Sequence, residues 1–188
     1  MEKVQEILFS EESERAVRFY KKLLMWLNNP VRAKYNDPVK LVSNAGIIKG
    51  QTVLEIGCGS GFFTEELSNA VGEEGTVFAT DIHPMAVREM EQRIKNYQLS
   101  NVLVQREDAM NTTFNPDMFD LIVLYGVIPA PVITAERLSK EMYRILKPGG
   151  VCAIWTAIPL WTPSEIERFA KFSRLKRNGP VFRLRKEI

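Results

Sequence analysis

Residues 52–64 read TVLEIGCGSGFFT. The apolar run Thr52–Ile56 is the right length for a buried strand and too short for a helix. It opens into a turn carrying glycines at 57, 59 and 61. Three glycines so spaced let the backbone bend sharply and approach a ligand without Cβ collisions. N–H groups at the start of the next helix can then receive a carboxylate. A dinucleotide fingerprint, G-x-G-x-x-G, needs its third glycine one residue later, where this chain has Phe62. The spacing argues against a pyrophosphate and for a ligand with a smaller anionic group.

Outward from this stretch, strands alternate with helices. Thr64–Val71 reads as a helix stopped by Gly72, and Thr76–Thr80 as a second strand. Pro84 is well placed to open a helix whose buried face holds Val87, Met90, Ile94 and Tyr97. Val102–Gln105 and Phe119–Leu124 are further strands. A helix follows over Glu136–Leu146, then the turn Lys147-Pro148-Gly149-Gly150 and a fifth strand, Val151–Trp155. Thr162-Pro163-Ser164-Glu165 reads as a capping box opening a helix to about Leu175. Asn178-Gly179 reads as a hairpin turn into Val181–Lys186. The alternation predicts an α/β fold with a parallel sheet, the last hairpin adding antiparallel strands at one side.

Upstream, Ser10 can cap a helix with the stripe Val17, Tyr20, Leu24 and Leu27, which Pro30 ends. A shorter helix runs from Val39 to a stop at Gly46. The expected organisation is a helical segment over residues 1–45, followed by a ligand-binding domain over 46–188.

In such sheets ligands bind beyond the carboxyl ends of the strands. Asp81 stands after the second strand, where a carboxylate accepts hydrogen bonds from both hydroxyls of a ribose. Ile82 follows and can lie against a purine face. Asp108, beside Ala109, either accepts from an adenine amino group or is a plain helix cap. Tyr125-Gly126 ends the fourth strand, facing the same crevice.

Together VLEIGCGSGFFT, TDIHP, EDAM, FDLIVLYGVI and LKPGG resemble the successive motifs of class I S-adenosylmethionine (SAM)-dependent methyltransferases over residues 35–188. The nearest flavour is the small-molecule and quinone-biosynthesis group, the methyltransferase-11-like proteins. The resemblance implies a doubly wound, Rossmann-like, mostly parallel seven-stranded sheet with an antiparallel C-terminal hairpin. It implies SAM as cofactor, with S-adenosylhomocysteine as product. Gly57, Gly59 and Gly61, with Cys58 between them, then line its methionine end, and Glu55 supports the loop. Asp81 holds the ribose, Ile82 the adenine face, Asp108 and Ala109 the adenine edge, and Tyr125 flanks the sulfonium. The chain departs from the family in lacking an Asn/Asp-Pro-Pro-aromatic motif after the fourth strand, having Tyr125-Gly126-Val127-Ile128-Pro129 instead. Methylation of a planar base nitrogen is thereby disfavoured.

The implied acceptor is a small or lipid-like molecule. Tyr20, Trp26, Tyr35 and Trp161 are candidates to shape its pocket, with the N-terminal helix as a lid, or else are packing residues. His83, the single histidine, reads as a helix-start residue rather than a base. No catalytic base is evident, and in-line methyl transfer needs none unless the acceptor loses its proton early. A SAM-sensing module without catalysis, or a methyltransferase acting on protein or RNA, remains as an alternative.

Composition adds bounds. The 188 residues make one domain, and a net charge of +2 demands no polyanionic partner, so nucleic acid is not expected. The basic C-terminal stretch, including Lys176, Arg177 and Arg183, reads as a solvated face. Arg15, Arg18, Lys21 and Lys22 with Trp26 are compatible with peripheral membrane contact. Cys58 and Cys152 suggest neither a disulfide framework nor a metal site. With no signal-peptide pattern and no membrane-length apolar run, a cytoplasmic setting is expected.

Overall fold

The computed structural model describes residues 36–130 and 133–188, with Arg18, Lys22 and Lys34 singly. Helix α1 covers Pro38–Ser43, capped by the Asp37 carboxylate, which accepts from Val39 N–H at 3.0 Å. Then follow β1 (Thr52–Ile56), α2 (Thr64–Val71), β2 (Thr76–Asp81), α3 (Pro84–Tyr97), β3 (Val102–Arg106) and β4 (Phe119–Tyr125). The chain continues through α4 (Ala135–Ile145), β5 (Leu146–Trp155), α5 (Ser164–Phe169), β6 (Phe172–Arg174) and β7 (Phe182–Lys186).

These strands form one seven-stranded sheet in the order β3-β2-β1-β4-β5-β7-β6. β1 to β5 run parallel, and β7 is antiparallel to both β5 and β6. From β1 the chain winds one way through β2 to β3, then returns to the other side of β1 to lay down β4 and β5. The order therefore reverses between β1 and β4, and loops splay apart there to leave a crevice.

Central strands covered on both faces should be apolar throughout. In β4 every residue but Asp120 is buried, and Asp120 is tied to the Lys147 ammonium at 2.7 Å. Helices α1, α2 and α3 cover one face through Leu41, Leu67, Val71 and Met90. Helices α4 and α5 cover the other through Leu138, Met142, Ile145 and Ile166. The 138, 142, 145 spacing is the helical stripe such a contact requires.

Four expectations need correction. The helix expected to reach Leu175 stops at Phe169, because Phe172–Arg174 pair with β7 instead. Long-range pairing here outweighs local helix preference. The expected capping box does not form: Pro163 occupies the cap, and the Thr162 hydroxyl meets Ser164 Oγ at 2.9 Å. The Lys147–Gly150 turn is absorbed into β5 as an irregularity, since Phe119 pairs with Leu146 but Leu121 with Val151. Finally, Tyr97 stands 54% exposed, with the Arg93 guanidinium 4.8 Å over its ring. The buried face of α3 holds Met90 as expected, together with Met85 and Ala86, and Ile94 packs half-buried against the core.

Candidate cofactor crevice

The bend after β1 is pinned to the tip of β2. Gly57 and Cys58 N–H groups both donate to the Thr80 carbonyl, at 2.8 and 2.9 Å. Gly59 N–H donates to Asp81 Oδ2 at 3.0 Å, and His83 N–H to Asp81 Oδ1 at 2.9 Å. Asp81, the last residue of β2 rather than one beyond it, thus holds two backbone segments and keeps its half-buried carboxylate at the crevice. Ile82 is half-buried beside it, its carbonyl accepting from Arg106 Nε at 2.9 Å.

Two of the glycines answer to the protein's own packing. A Cβ at Gly57 would lie 2.4 Å from a Val127 methyl, and one at Gly61 would lie 2.6 Å from Met90 Sδ. Both also have positive φ, at +72° and +87°. The expectation that all three exist for close approach of a ligand is refined accordingly: Gly57 and Gly61 are already required by the loop after β4 and by α3.

Glu55 sits at 2% exposure on β1 and accepts the Thr64 hydroxyl at 2.6 Å. Burial pushes its carboxyl up from 4.5 to about 8; the Thr64 hydrogen bond opposes this, the Asp81 charge adds to it, and Arg93 opposes it. At neutral pH Glu55 therefore holds its proton, and Asp81 supplies the negative charge of the crevice. Cys58 is 5% exposed, and burial, with Glu55 and Asp81 adding, raises its thiol well above the usual range. It is a packing residue rather than a nucleophile.

On the third strand's side, the Asp108 carboxylate accepts from Met110 N–H at 2.9 Å, making a local turn. Asp108 and Ala109 are both half-buried. Glu107, not singled out from sequence, is the more buried carboxylate, accepting from Gln105 at 2.7 Å and from Thr113 N–H at 3.0 Å. On the fourth strand, Tyr125 is 4% exposed and packs edge-on against Phe63 and Trp155. Its hydroxyl donates to the Leu41 carbonyl at 2.8 Å. This places the ring in the core as a tie to α1, in contrast to the open position read from sequence. His83 caps α3, its Nδ1 accepting from Met85 N–H at 3.2 Å.

Tyr20, Trp26 and Tyr35 lie outside the described residues. Trp161 is half-buried, edge-on to Phe182 at 6.0 Å between ring centres. It lines a cleft of about 430 Å³ between the loop leaving β5 and the β6–β7 turn. Among the described residues, no group of three or more His, Cys, Asp or Glu side chains could hold a metal ion, and no helix is long and apolar enough to cross a membrane.

A bend with glycine at alternate positions after one strand, a carboxylate on its neighbour and an apolar residue beside that carboxylate suit an adenosyl ligand with a compact charged end. Comparison with known proteins supplies the class. A family described as "Methyltransferase domain" matches residues 53–150, and the chain belongs to that family. It is a class I methyltransferase by fold, and SAM is the cofactor of that class.

Among curated relatives, a demethylmenaquinone methyltransferase from Geobacillus sp. (strain WCH70) is 36% identical over 54% of this chain and 43% of its own length. The ubiquinone/menaquinone biosynthesis C-methyltransferase UbiE of Haemophilus ducreyi is 30% identical over 73% of this chain and 54% of its own. The chain thus spans about half the length of these relatives. Among solved structures, a SAM-dependent methyltransferase from Aquifex aeolicus aligns with TM-score 0.73 at 24% identity, covering 87% of this chain and 96% of that one. The cyclase SpnF aligns with TM-score 0.62 at 14% identity over 79% of each chain. Likeness at those identities speaks to the fold alone.

Proposed function

We propose that this chain transfers a methyl group from SAM to a small acceptor built on a ring, as the names of its quinone-methylating relatives suggest. The observation that carries this reading is the bend at 57–61 hydrogen-bonded to Asp81 at the switch in strand order. Bound SAM supplies a methyl group already activated on a positive sulfur. The chain's own contribution is to orient and to exclude water.

In this reading Asp81 takes the ribose hydroxyls, Ile82 the adenine face, and Asp108 with Ala109 the adenine edge. The bend takes the methionine end. Protonated Glu55 keeps a second negative charge out of the crevice floor. His83 has its Nδ1 committed to the α3 cap, so no proton is withdrawn through it. The expected lid over residues 1–45 lies mostly outside the described residues; its described end is moored to the sheet by the Tyr125–Leu41 hydrogen bond.

A ring carbon attacks only if it is electron-rich, so the reduced hydroquinone form of an acceptor is the one expected to react. The test is incubation of the protein with isotopically labelled SAM and either reduced demethylmenaquinone or a cell extract, followed by mass spectrometry. A product heavier by one labelled methyl is expected. SAM bound without any labelled product from either mixture would overturn the reading.

A further inference from the structure

The cleft at the end of β5 has a chemistry of its own. One wall is the loop over Thr156–Thr162 and the other is Arg177, Pro180 and Phe182. Because β7 pairs antiparallel with β5, with Ile154 opposite Phe182, this cleft opens on the same edge of the sheet as the Gly57–Gly61 bend. Its β5 wall lies two strand spacings from β1 and its β7 wall three, about 10–15 Å along the sheet. A molecule seated against the β5 wall is one spacing from β4 and can extend an atom toward a methyl group held over β1 and β4.

Three features specify what would sit in it. The rings of Trp161 and Phe182 meet edge-on; Phe182 is buried beneath Arg177, and half-buried Trp161 offers the flat apolar surface. The Arg177 guanidinium lies 4.2 Å over the Phe182 ring, so its plane is fixed by stacking. One of its amino groups donates to the Pro180 carbonyl at 3.3 Å. No ion pair with Arg177 is found among the described residues. A guanidinium held flat, with donors along its edge, is shaped for the two oxygens of a carboxylate. The loop adds apolar cover: Ile158 is half-exposed, and Leu160 is fully exposed with φ at +62°. A branched aliphatic residue held in that backbone region and presented to water is strained, and such strain gathers where ligands bind.

We infer that this cleft is the acceptor's site and that it selects a flat aromatic ring bearing a carboxylate, which Arg177, fixed on Phe182, grips by its edge while Trp161 holds the ring. The inference rests on the proposed methyl transfer only for the name "acceptor"; the binding itself stands apart from it.

The test uses the full chain with S-adenosylhomocysteine present and two probes of equal size, 2-naphthoate and the neutral 2-naphthamide, titrated by calorimetry. The wild type should bind the carboxylate at least about tenfold tighter than the amide. In Arg177→Met the two probes should bind equally, and in Arg177→Lys the preference should shrink, since the charge stays but the fork is lost. Trp161→Leu should weaken both probes alike and keep their ratio. Equal binding of the two probes by the wild type would overturn the inference, as would a preference that survives in Arg177→Met. Thermal stabilisation by SAM, read on the same variants, should be unchanged, which confirms their folding. A carboxylate preference without labelled product in the methyl-transfer assay would leave this site standing and remove the proposed reaction; product without the preference would do the reverse.

Discussion

Glu55→Gln isolates the cost of placing a carboxyl under the cofactor crevice. In the unfolded chain this group loses its proton near 4.5, and in the folded protein near 8. Between those values the folded state carries a proton that the unfolded state has released. Stability therefore falls as pH rises through that window and is fully present only below it. Each pH unit contributes about 1.36 kcal/mol, which over the window sums to about 5 kcal/mol at most. Glutamine keeps the shape and an oxygen to accept the Thr64 hydroxyl, but cannot ionise. The variant should thus gain on the wild type steadily from pH 4.5 to pH 8. Urea unfolding at half-unit pH steps measures this directly, because every other titrating group cancels in the difference. Parallel curves across the window would show that Glu55 ionises as an exposed carboxyl does, and the argument from burial would fail.

Asp81→Asn keeps the shape but removes the charge and one acceptor oxygen from a group that already ties Gly59 and His83. SAM affinity by calorimetry should fall by about 1.5–3 kcal/mol, roughly ten- to a hundredfold, and unchanged affinity would remove Asp81 from the site. Gly61→Ala should destabilise the fold by about 1–3 kcal/mol, since its φ of +87° is strained for alanine and the new methyl meets Met90 Sδ. Chemical denaturation checks this, and a variant as stable as the wild type would show that α3 gives way freely. Burial raises both thiols, Cys152 to about 12, so neither should react with a thiol reagent at pH 8 until the protein unfolds. Rapid labelling of the native protein would contradict that.

Much of the fold was legible because its strands are short apolar runs punctuated by glycine and proline. Thr52–Ile56 and Pro84–Tyr97 could be bounded from their own residues. Asp81 was legible for a similar reason: a carboxylate ending an apolar strand has a narrow range of uses. What escaped depended on distant partners. β6 is three residues long and exists only through its pairing with Leu184–Lys186. The partner of the Tyr125 hydroxyl lies 84 residues away, so nothing near Tyr125 marks it as a core tie. Glu55 carried a signal that could have been pressed further, since a carboxyl inside a fully buried strand must either find a cation or keep its proton. Arg177 was one among many basic residues in its segment, and only the packing against Phe182 sets it apart.

The contact between Gly57 and Val127 bears on any effort to reshape this crevice. Val127, on the loop after β4, lies so near the bend after β1 that it leaves no room for a side chain at Gly57. A larger residue at 127 has nowhere to go but into the cofactor's bend, so widening the acceptor side from that position can proceed only by trimming. Redesign toward bulkier acceptors is better aimed at the far wall, where the loop beyond β5 presents Ile158 and Leu160 to solvent.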